Sequence, residues 1–342
     1  MSSDLRIVDA AGSHRDIGRA HGEEMRETIR EGIGRWLDRG DDYINTFLTA
    51  TGFVASIDAF APQLMEEVRG IAEAAHQRPR TVLAYQMMDE EWAFRSSRAS
   101  IEACSAFGVT RGDGTAIVAQ NMDLPSHYDG TQVLLRLRPD DAPAVMVLAP
   151  AGLIGTCGLN GDGVAVCVNA LFQLRHDHTG LPVGFILRGV LERSTADDAA
   201  DYVRNVPHAT AQNYLIGDAG KIIDLESSPG QVSEVPVEGA QITHTNHALI
   251  NDDLDPNVRE DPGSTSVARL EKLRSVLGPV GAEVTVDDVK RALSDRSVPV
   301  CVPRGADWMT FGSVVMELSP QPVMHVAPGP PGETPYFEVR FG

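Results

Sequence analysis

Cys104 follows the small residue Ala103 and opens an apolar stretch of strand character, Ser105-Ala106-Phe107-Gly108-Val109-Thr110. A second such stretch, Ala116 to Asn121, leads into Met122 and Asp123. The polar Arg111-Gly112-Asp113-Gly114 between them carries the Asp-Gly signal of a hairpin. Two antiparallel strands at this spacing return the Asp123 carboxylate to the start of the first strand, beside Cys104. A thiol with a carboxylate brought back to it is a candidate nucleophile. The plainer reading is a buried thiol next to a turn aspartate, because free cysteine is among the most buried residue types.

A thiol nucleophile also needs a base, an orienting partner and donors for the developing oxyanion. None of the ten histidines stands at an obvious catalytic spacing from Cys104. His176-Asp177-His178 falls in a polar loop, where a solvated pair is the ordinary reading and a metal site the rarer one. His244 and His247 flank Asn246 at the end of a strand; they fit either Cys partners of a papain-like arrangement or structural histidines. The metalloprotease pattern HExxH and a P-loop are absent.

An N-terminal nucleophile answers the need for a base differently. Cleavage of the Ala103–Cys104 peptide creates an α-amine with a pKa of about 8, able to take the thiol proton directly. The same thiol can make that cut. It attacks the preceding carbonyl, forms a thioester, and water completes the hydrolysis. A small residue before Cys104 and the polar, Ser-rich stretch Arg95 to Glu102 both favour the strained geometry this requires.

The elements that must carry these residues follow from periodicity. Leu5 to Ala10 reads as a short strand, and Ser13-His14-Arg15-Asp16 as a capped helix start. Ile17, Met25, Ile29, Ile33 and Trp36 recur on one helical face. Leu64, Val68, Ile71 and Ala75 predict another helix, and Thr81 to Phe94 a third that carries Gln86, Asp89, Glu90 and Glu91. Beyond Cys104 strands predominate: Ser105–Thr110, Thr115–Asn121, Gln132–Arg138, Ala144–Ala149, Leu153–Leu159 and Gly163–Asn169. Helices are expected at Gly184–Glu192 and Thr195–Asn205. Strands resume at Gln212–Gly217, Lys221–Glu226, Val232–Val237 and Ala240–Asn246. A helix pair fits Thr265–Leu277 and Val286–Ser294, and the tail returns to strands at Thr310–Leu318, Val323–Ala327 and Tyr336–Phe341. Groups of strands separated by helix pairs suit two stacked antiparallel sheets with helices on their outer faces. The helices are too few for a purely parallel sheet.

Composition narrows the function. The chain of 342 residues carries 29 Lys+Arg against 48 Asp+Glu, a formal net charge of -19. That balance argues against a nucleic-acid partner and against adhesion to anionic membranes. Four cysteines without CxxC spacing exclude a zinc ribbon or a disulfide framework. The opening Met-Ser-Ser-Asp-Leu-Arg has no signal-like apolar run, and no stretch reaches the ~18 apolar residues of a membrane span. A cytoplasmic location is expected.

Several segments together resemble the acyl-CoA:6-aminopenicillanic acid acyltransferase (isopenicillin N acyltransferase) family. Its members are autoproteolytic Ntn hydrolases related to choloylglycine and penicillin V hydrolases. Gly12-Ser13-His14-Arg15-Asp16-Ile17-Gly18-Arg19-Ala20-His21-Gly22 is similar to the family's opening helix. Ala103-Cys104-Ser105-Ala106-Phe107 with Gln120-Asn121-Met122-Asp123 is similar to its nucleophile hairpin. Gly155 to Val166, ending at Asn169-Ala170-Leu171, resembles the next hairpin. Thr243-His244-Thr245-Asn246-His247 and His325 to Pro331 complete the set.

The resemblance implies an α+β fold, a four-layer αββα sandwich of two antiparallel sheets. It implies a precursor cut before Cys104 into a mainly helical segment 1–103 and a catalytic segment 104–342, which stay associated as one structural domain. Cys104 is then the autocleavage and catalytic nucleophile, and Asp123 holds its amine or thiol. Asn246 donates to the oxyanion, Asn169 assists, and Arg304 is assigned the electrostatic support. Arg304 is displaced from the family pattern, which places the arginine just after a cysteine, since the order here is Cys301-Val302-Pro303-Arg304. No cofactor is called for. The expected reaction is hydrolysis of the linear amide of a small N-acyl compound through a thioester. Its rivals are transfer of the acyl group to an amine on the same fold and a non-catalytic binding protein. The loops Leu124–Thr131, Phe172–Leu181 and Leu249–Gly263 are expected to set the substrate.

Overall fold

The computed structural model describes residues 5–36, 40–95, 104–258, 263–278 and 283–342. The stretch before Cys104 expected to act as a linker lies almost wholly outside them.

The chain opens with strand β1 (Ile7–Gly12) and helices α1 (His14–Glu24), α2 (Arg26–Trp36), α3 (Gly40–Ala50), α4 (Phe53–Phe60), α5 (Pro62–Ala74), α6 (Pro79–Tyr85) and α7 (Met88–Phe94). Ser13 caps α1 as its sequence predicts, its hydroxyl accepting from the Asp16 amide. The apolar series from Ile17 to Trp36 divides into two helices at Met25, and the helix expected over Thr81 to Phe94 divides at Gln86-Met87. Helices α3 and α4 were not anticipated. Helices α1 and α5 meet backbone to backbone. A Cβ on Gly18 would lie 2.0 Å from the Glu67 carbonyl oxygen, and one on Gly70 would lie 2.3 Å from that of Arg15. The two glycines therefore set this interhelical distance.

Two sheets follow. The larger has eight strands in the order β1, β4 (Gln132–Pro139), β5 (Val145–Pro150), β6 (Cys157–Asn160), β7 (Ala165–Ala170), β8 (Gln212–Gly217), β9 (Ile222–Ser227), β10 (Val232–Val235). The smaller has six: β11 (Gln241–His244), β2 (Ser105–Thr110), β3 (Ala116–Pro125), β12 (Trp308–Leu318), β13 (Val323–Ala327), β14 (Phe337–Arg340). Strands β2 and β3 of one sheet pack on β7 and β8 of the other. Helices α8 (Val183–Val190) and α9 (Ala196–Asn205) cover the larger sheet, α10 (Ser266–Leu277) and α11 (Val286–Leu293) the smaller. This is the expected αββα sandwich. One pairing departs from it: β1 runs parallel to β4. The first segment thus adds an edge strand to the larger sheet through a long crossover, α1 to α7 and then the β2–β3 pair of the other sheet, as a parallel pair requires a long connection.

Alternation divides the buried residues of the small sheet. Phe107, Val109, Ile117, Ala119 and Val315 face α10 and α11, in a cluster with Leu273, Leu277, Val289 and Leu293. Ala106, Val118, Val314 and Met316 join the main core, which is continuous from the sheets into α1 to α7. Two buried asparagines fix the covering helices. Asn121 donates to the Leu293 carbonyl at the end of α11 and to the Val300 carbonyl in the segment beyond it, both at 2.7 Å. Asn160 donates to the Leu191 and Arg193 carbonyls after α8, at 2.9 and 2.7 Å. Leu293 is among the carbonyls that a helix end leaves without an intrahelical partner, and the other three lie in the segments that follow the helices.

Candidate active site

The β2–β3 hairpin is built as its sequence predicts. Ser105 pairs with Asn121 and Thr110 with Ala116. Gly114 takes the turn at φ +80°, a region that favours glycine, and Asp113 accepts from the Thr115 amide at 3.0 Å. Cys104 lies just before β2, and its Sγ is 4.0 Å from the Asp123 carbonyl oxygen. Strand β3 runs on to Pro125, further than expected. A bulge in β12 between Thr310 and Gly312 lies opposite Asp123 and Met122. Bulges re-aim side chains, and this one sits where the carboxylate turns into the site.

Cys104, Asp123 and Asn246 line one cleft of about 660 Å³, counting its open mouth. Its other walls are mostly apolar: Met88 and Trp92 of α7, Leu124, Leu153, Phe172, Val183, Leu187 and Trp308. Asp123 is 2% exposed, and neither carboxylate oxygen has a well-formed hydrogen bond. Burial pushes its carboxyl up to about 7, against the opposing pull of Thr310 and Arg269. Burial, and secondarily the Asp123 charge, push the Cys104 thiol up to about 12. In the uncut chain this thiol is therefore a poor nucleophile at neutral pH without a local base.

Asn246 is set from two sides. Its backbone amide donates to the Ser266 hydroxyl at 2.8 Å, and its Oδ1 accepts from Arg269 at 2.9 Å. The Oδ1 contact fixes the amide orientation, leaving Nδ2 as the donor end, where it meets the Ala170 carbonyl at 3.1 Å. Arg269 is fully buried on the inner face of α10. It also donates to the Cys104 carbonyl at 2.6 Å and to the Ser105 hydroxyl at 2.9 Å. One guanidinium thus ties the start of β2 to the candidate oxyanion donor.

Sequence reasoning missed Arg269. Its signal was present: Ser266, Arg269, Leu270, Leu273 and Leu277 share the i, i+3, i+4 spacing of the buried face. Arg304, the residue expected in that role, is on the surface instead. It pairs with Asp129 at 3.1 Å and Glu333 at 3.4 Å, and does not line the cleft. Asn169 does not line the cleft either. Its Nδ2 donates to the His244 and Thr245 carbonyls at 3.0 and 3.1 Å, so neither amide hydrogen remains for an oxyanion. Asn169 joins β7 to the end of β11, just before Asn246.

The histidines are engaged elsewhere. His244 Nε2 meets Glu226 at 2.8 Å with both side chains fully buried. Glu226 also accepts from the Ile250 and Asn251 amides at 3.0 and 2.7 Å. The pair therefore braces the segment that carries Asn246, and His247 binds the Ser266 hydroxyl. Among the described residues no histidine lines the cleft, so the papain-like arrangement finds no partner for Cys104. Nor does any group of three His, Cys, Asp or Glu side chains there come together around a metal position.

The opening helix acts at a distance. Arg188 of α8 makes a two-armed pair with Glu67 of α5 at 2.6 and 2.9 Å and also donates to the Ile154 carbonyl. His14 meets the same carboxylate at 2.9 Å. Glu67 is held down at about 2: burial opposes ionisation, but Arg188 and His14 together overcome it. His21 accepts from the Gly152 amide at 3.0 Å, and burial lowers it to about 4. Gln86 completes the support, donating to the Gly152 carbonyl at 2.7 Å and accepting from the Ile154 amide at 2.9 Å. These contacts hold the loop that presents Leu153, Gly155 and Thr156 to the cleft.

The family model described as acyl-coenzyme A:6-aminopenicillanic acid acyl-transferase matches residues 109–310, more than half of the chain. The chain belongs to this family. Its matched segment starts just after Cys104 and includes Asp123, Asn246 and Arg269. The 40 kDa form of the acyl-coenzyme A:6-aminopenicillanic-acid acyltransferase of Emericella nidulans is 29% identical over 192 residues, 56% of this chain and 53% of that protein. The chain therefore aligns with about half the length of this curated relative. Among solved structures, a mutant conjugated bile acid hydrolase from Clostridium perfringens shares 13% identity at a TM-score of 0.49, covering 69% of this chain and 92% of that one. A Caenorhabditis elegans ortholog of N-acylethanolamine-hydrolyzing acid amidase shares 16% at 0.48, covering 62% and 92%.

Proposed function

We propose that this family member is an autoproteolytic Cys N-terminal-nucleophile enzyme that hydrolyses the linear amide of a small N-acyl compound. The observation that carries the reading is the convergence of Cys104, Asp123 and Asn246 on one largely apolar cleft. Maturation begins when the Cys104 sulfur attacks the Ala103 carbonyl. The C–N bond breaks, the thiol proton passes to the departing nitrogen, and a thioester to Ala103 remains. The departing nitrogen is now the α-amine of Cys104, and water hydrolyses the thioester, freeing the thiol and leaving Ala103 with a terminal carboxylic acid.

That amine removes the 12-range obstacle to thiol ionisation in the uncut chain. It accepts the sulfhydryl proton, and Asp123 balances the resulting ammonium. The Arg269 charge at the Cys104 carbonyl opposes permanent protonation of the amine, keeping it available as a base. The thiolate adds to the substrate carbonyl and Asn246 Nδ2 donates to the oxyanion. Collapse breaks the substrate C–N bond, the leaving amine takes the ammonium proton, and a thioester acyl-enzyme forms. Water, deprotonated by the same amine, then releases the acid.

Segments 1–103 and 104–342 are proposed to remain together after the cut. The β1–β4 pairing and the core shared with α1 to α7 support this. A cytoplasmic setting belongs to the proposal: all four cysteines are unpaired, the state a reducing compartment maintains. Among the described residues no helix is long and apolar enough to cross a membrane.

Acyl transfer to an amine is the second reading, favoured by the names of the family and of the Emericella nidulans relative. One experiment addresses both. A panel of N-acyl p-nitroanilides is offered with and without an added primary amine, and the acylated 104–342 fragment is sought by mass spectrometry after acid quench. Hydrolysis predicts a thioester adduct on Cys104 and free acid as the main product even with amine present. Predominant amide product would establish the transferase. Turnover without any adduct on Cys104 would exclude the thioester mechanism.

A further inference from the structure

The cleft contains a second carboxylate that the proposed chemistry leaves unused. Asp89 lies in α7, and Trp92, three residues on, shares its helix face; both line the cleft. Asp89 Oδ2 accepts from Gln212 Nε2 at 2.6 Å. Among the described residues no other hydrogen bond or ion pair reaches the Asp89 side chain, and no Lys, Arg or His lines the cleft beside it. Gln212 also lines the cleft, is 1% exposed, and its Oε1 has no partner. A carboxylate whose one donor is Gln212, beside a buried amide oxygen with no partner, leaves acceptor capacity in the wall of the cleft that no donor fills.

The neighbouring carboxylate behaves differently, which isolates Asp89 as the ligand-facing group. Glu90 accepts from the Val183 amide and the Thr210 hydroxyl, both at 2.9 Å, and so secures the start of α8. Trp92 and Trp308 meet edge to face at 5.5 Å and supply aromatic walls. Carboxylate, amide oxygen and indole together form a surface suited to an alkylammonium ion, which donates up to three hydrogen bonds and is attracted to ring faces. The net charge of -19 favours arrival of such a cation.

We propose that the substrate is an N-acyl compound bearing an ammonium group, bound by Asp89 and Gln212 Oε1, with an apolar arm running to the carbonyl at Cys104. This deepens the amide-hydrolysis reading and rests on it for the position of the carbonyl, although ammonium recognition is measurable without turnover. The ammonium can belong to the acyl part or to the amine part, and the test separates these.

The mature protein is titrated calorimetrically with 6-aminohexanamide, with N-(5-aminopentyl)acetamide, and with their uncharged counterparts hexanamide and N-pentylacetamide. The expected result is binding about tenfold tighter for one ammonium compound than for its neutral counterpart, a charge-assisted hydrogen bond's worth of preference. Preference in the first pair assigns the ammonium to the acyl part, in the second to the amine part. Asp89→Asn should bring the ratio near one, and Gln212→Leu should lower it in part. Should Asp89→Asn not fold, the wild-type ratio in 20 mM against 500 mM NaCl gives a second reading, because a buried pair keeps its preference in salt. Equal binding of charged and neutral compounds, or a preference that survives Asp89→Asn, overturns the proposal. Ammonium preference with no turnover of any amide leaves it standing and counts against the hydrolase reading instead.

Discussion

A carboxyl held near 7 beside a thiol held near 12 gives Asp123 and Cys104 measurable signatures before any substrate is found. For Asp123 the folded value stands above the ordinary carboxylate value of 3.8. Between those two values the folded chain binds more protons than the unfolded one, so stability falls as pH rises through that window. Asp123→Asn in the uncut Cys104→Ala background should therefore raise Tm at pH 8 and change it little at pH 4. A Tm difference of the opposite sign at pH 8 would mean that the carboxylate is paired. For Asn246, replacement by Ala should lower kcat by about 100-fold with KM nearly unchanged, since an oxyanion donor acts mainly in the transition state. Steady-state kinetics of the mature enzyme reads this directly. An equal rise in KM with kcat intact would make Asn246 a binding residue only.

Among the elements, α8 tests how the opening helix reaches the cleft. Arg188→Met leaves Glu67 buried with only His14 beside it, and loss of one partner from a buried pair costs about 3–5 kcal/mol. Urea unfolding should show that loss. The strands were legible because alternation and turn residues are local signals: β2, β8 and β13 run as their patterns predict. Helix α1 was legible through its Ser13 cap; α9 and α11 were legible by pattern, and the structure caps them with Thr195 and Thr285. The break at Gln86-Met87 was not, because it answers to Gly152 and Ile154 in a loop distant in sequence. In α3 the buried Ile44, Phe47 and Leu48 carry helical spacing, but Asn and Thr among them weaken the helix propensity. Arg269 and Arg304 show the limit for a site. A periodic pattern says which face is buried, yet not which buried polar residue will meet Cys104 across the sheets.

For the molecule as a whole, several buried groups set one pH trend. Asp89 and Asp224 are raised to about 6 and Glu90 to about 7, all chiefly by burial, in the same direction as Asp123. Each loses stability as pH rises toward its folded value. His21 and His208 are lowered to about 4 by burial and act oppositely, gaining stability only up to their ordinary value of 6.5. Above pH 6.5 what remains is Glu90 and Asp123, up to about 7, and His244, which, against burial, Asp224 and Glu226 raise above its ordinary value; all lose stability as pH rises, so Tm of the uncut Cys104→Ala protein should fall across pH 6.5 to 8. A flat or rising Tm there would show that these carboxylates are ionised and compensated. The interleaving of the first segment makes a second demand. With β1 inside the larger sheet and one core spanning both segments, the two pieces should co-elute in 1 M NaCl and separate only in denaturant. Separation in salt alone would mean that charge, not burial, holds them.

The most direct measurement is the intact mass of the purified protein under denaturing conditions, wild type beside Cys104→Ala. The account predicts two wild-type masses, corresponding to residues ending at Ala103 and beginning at Cys104, and a single full-length mass for the variant. A catalytically active wild type that shows only the uncut mass contradicts it, because Cys104 would then have no terminal amine to serve as its base.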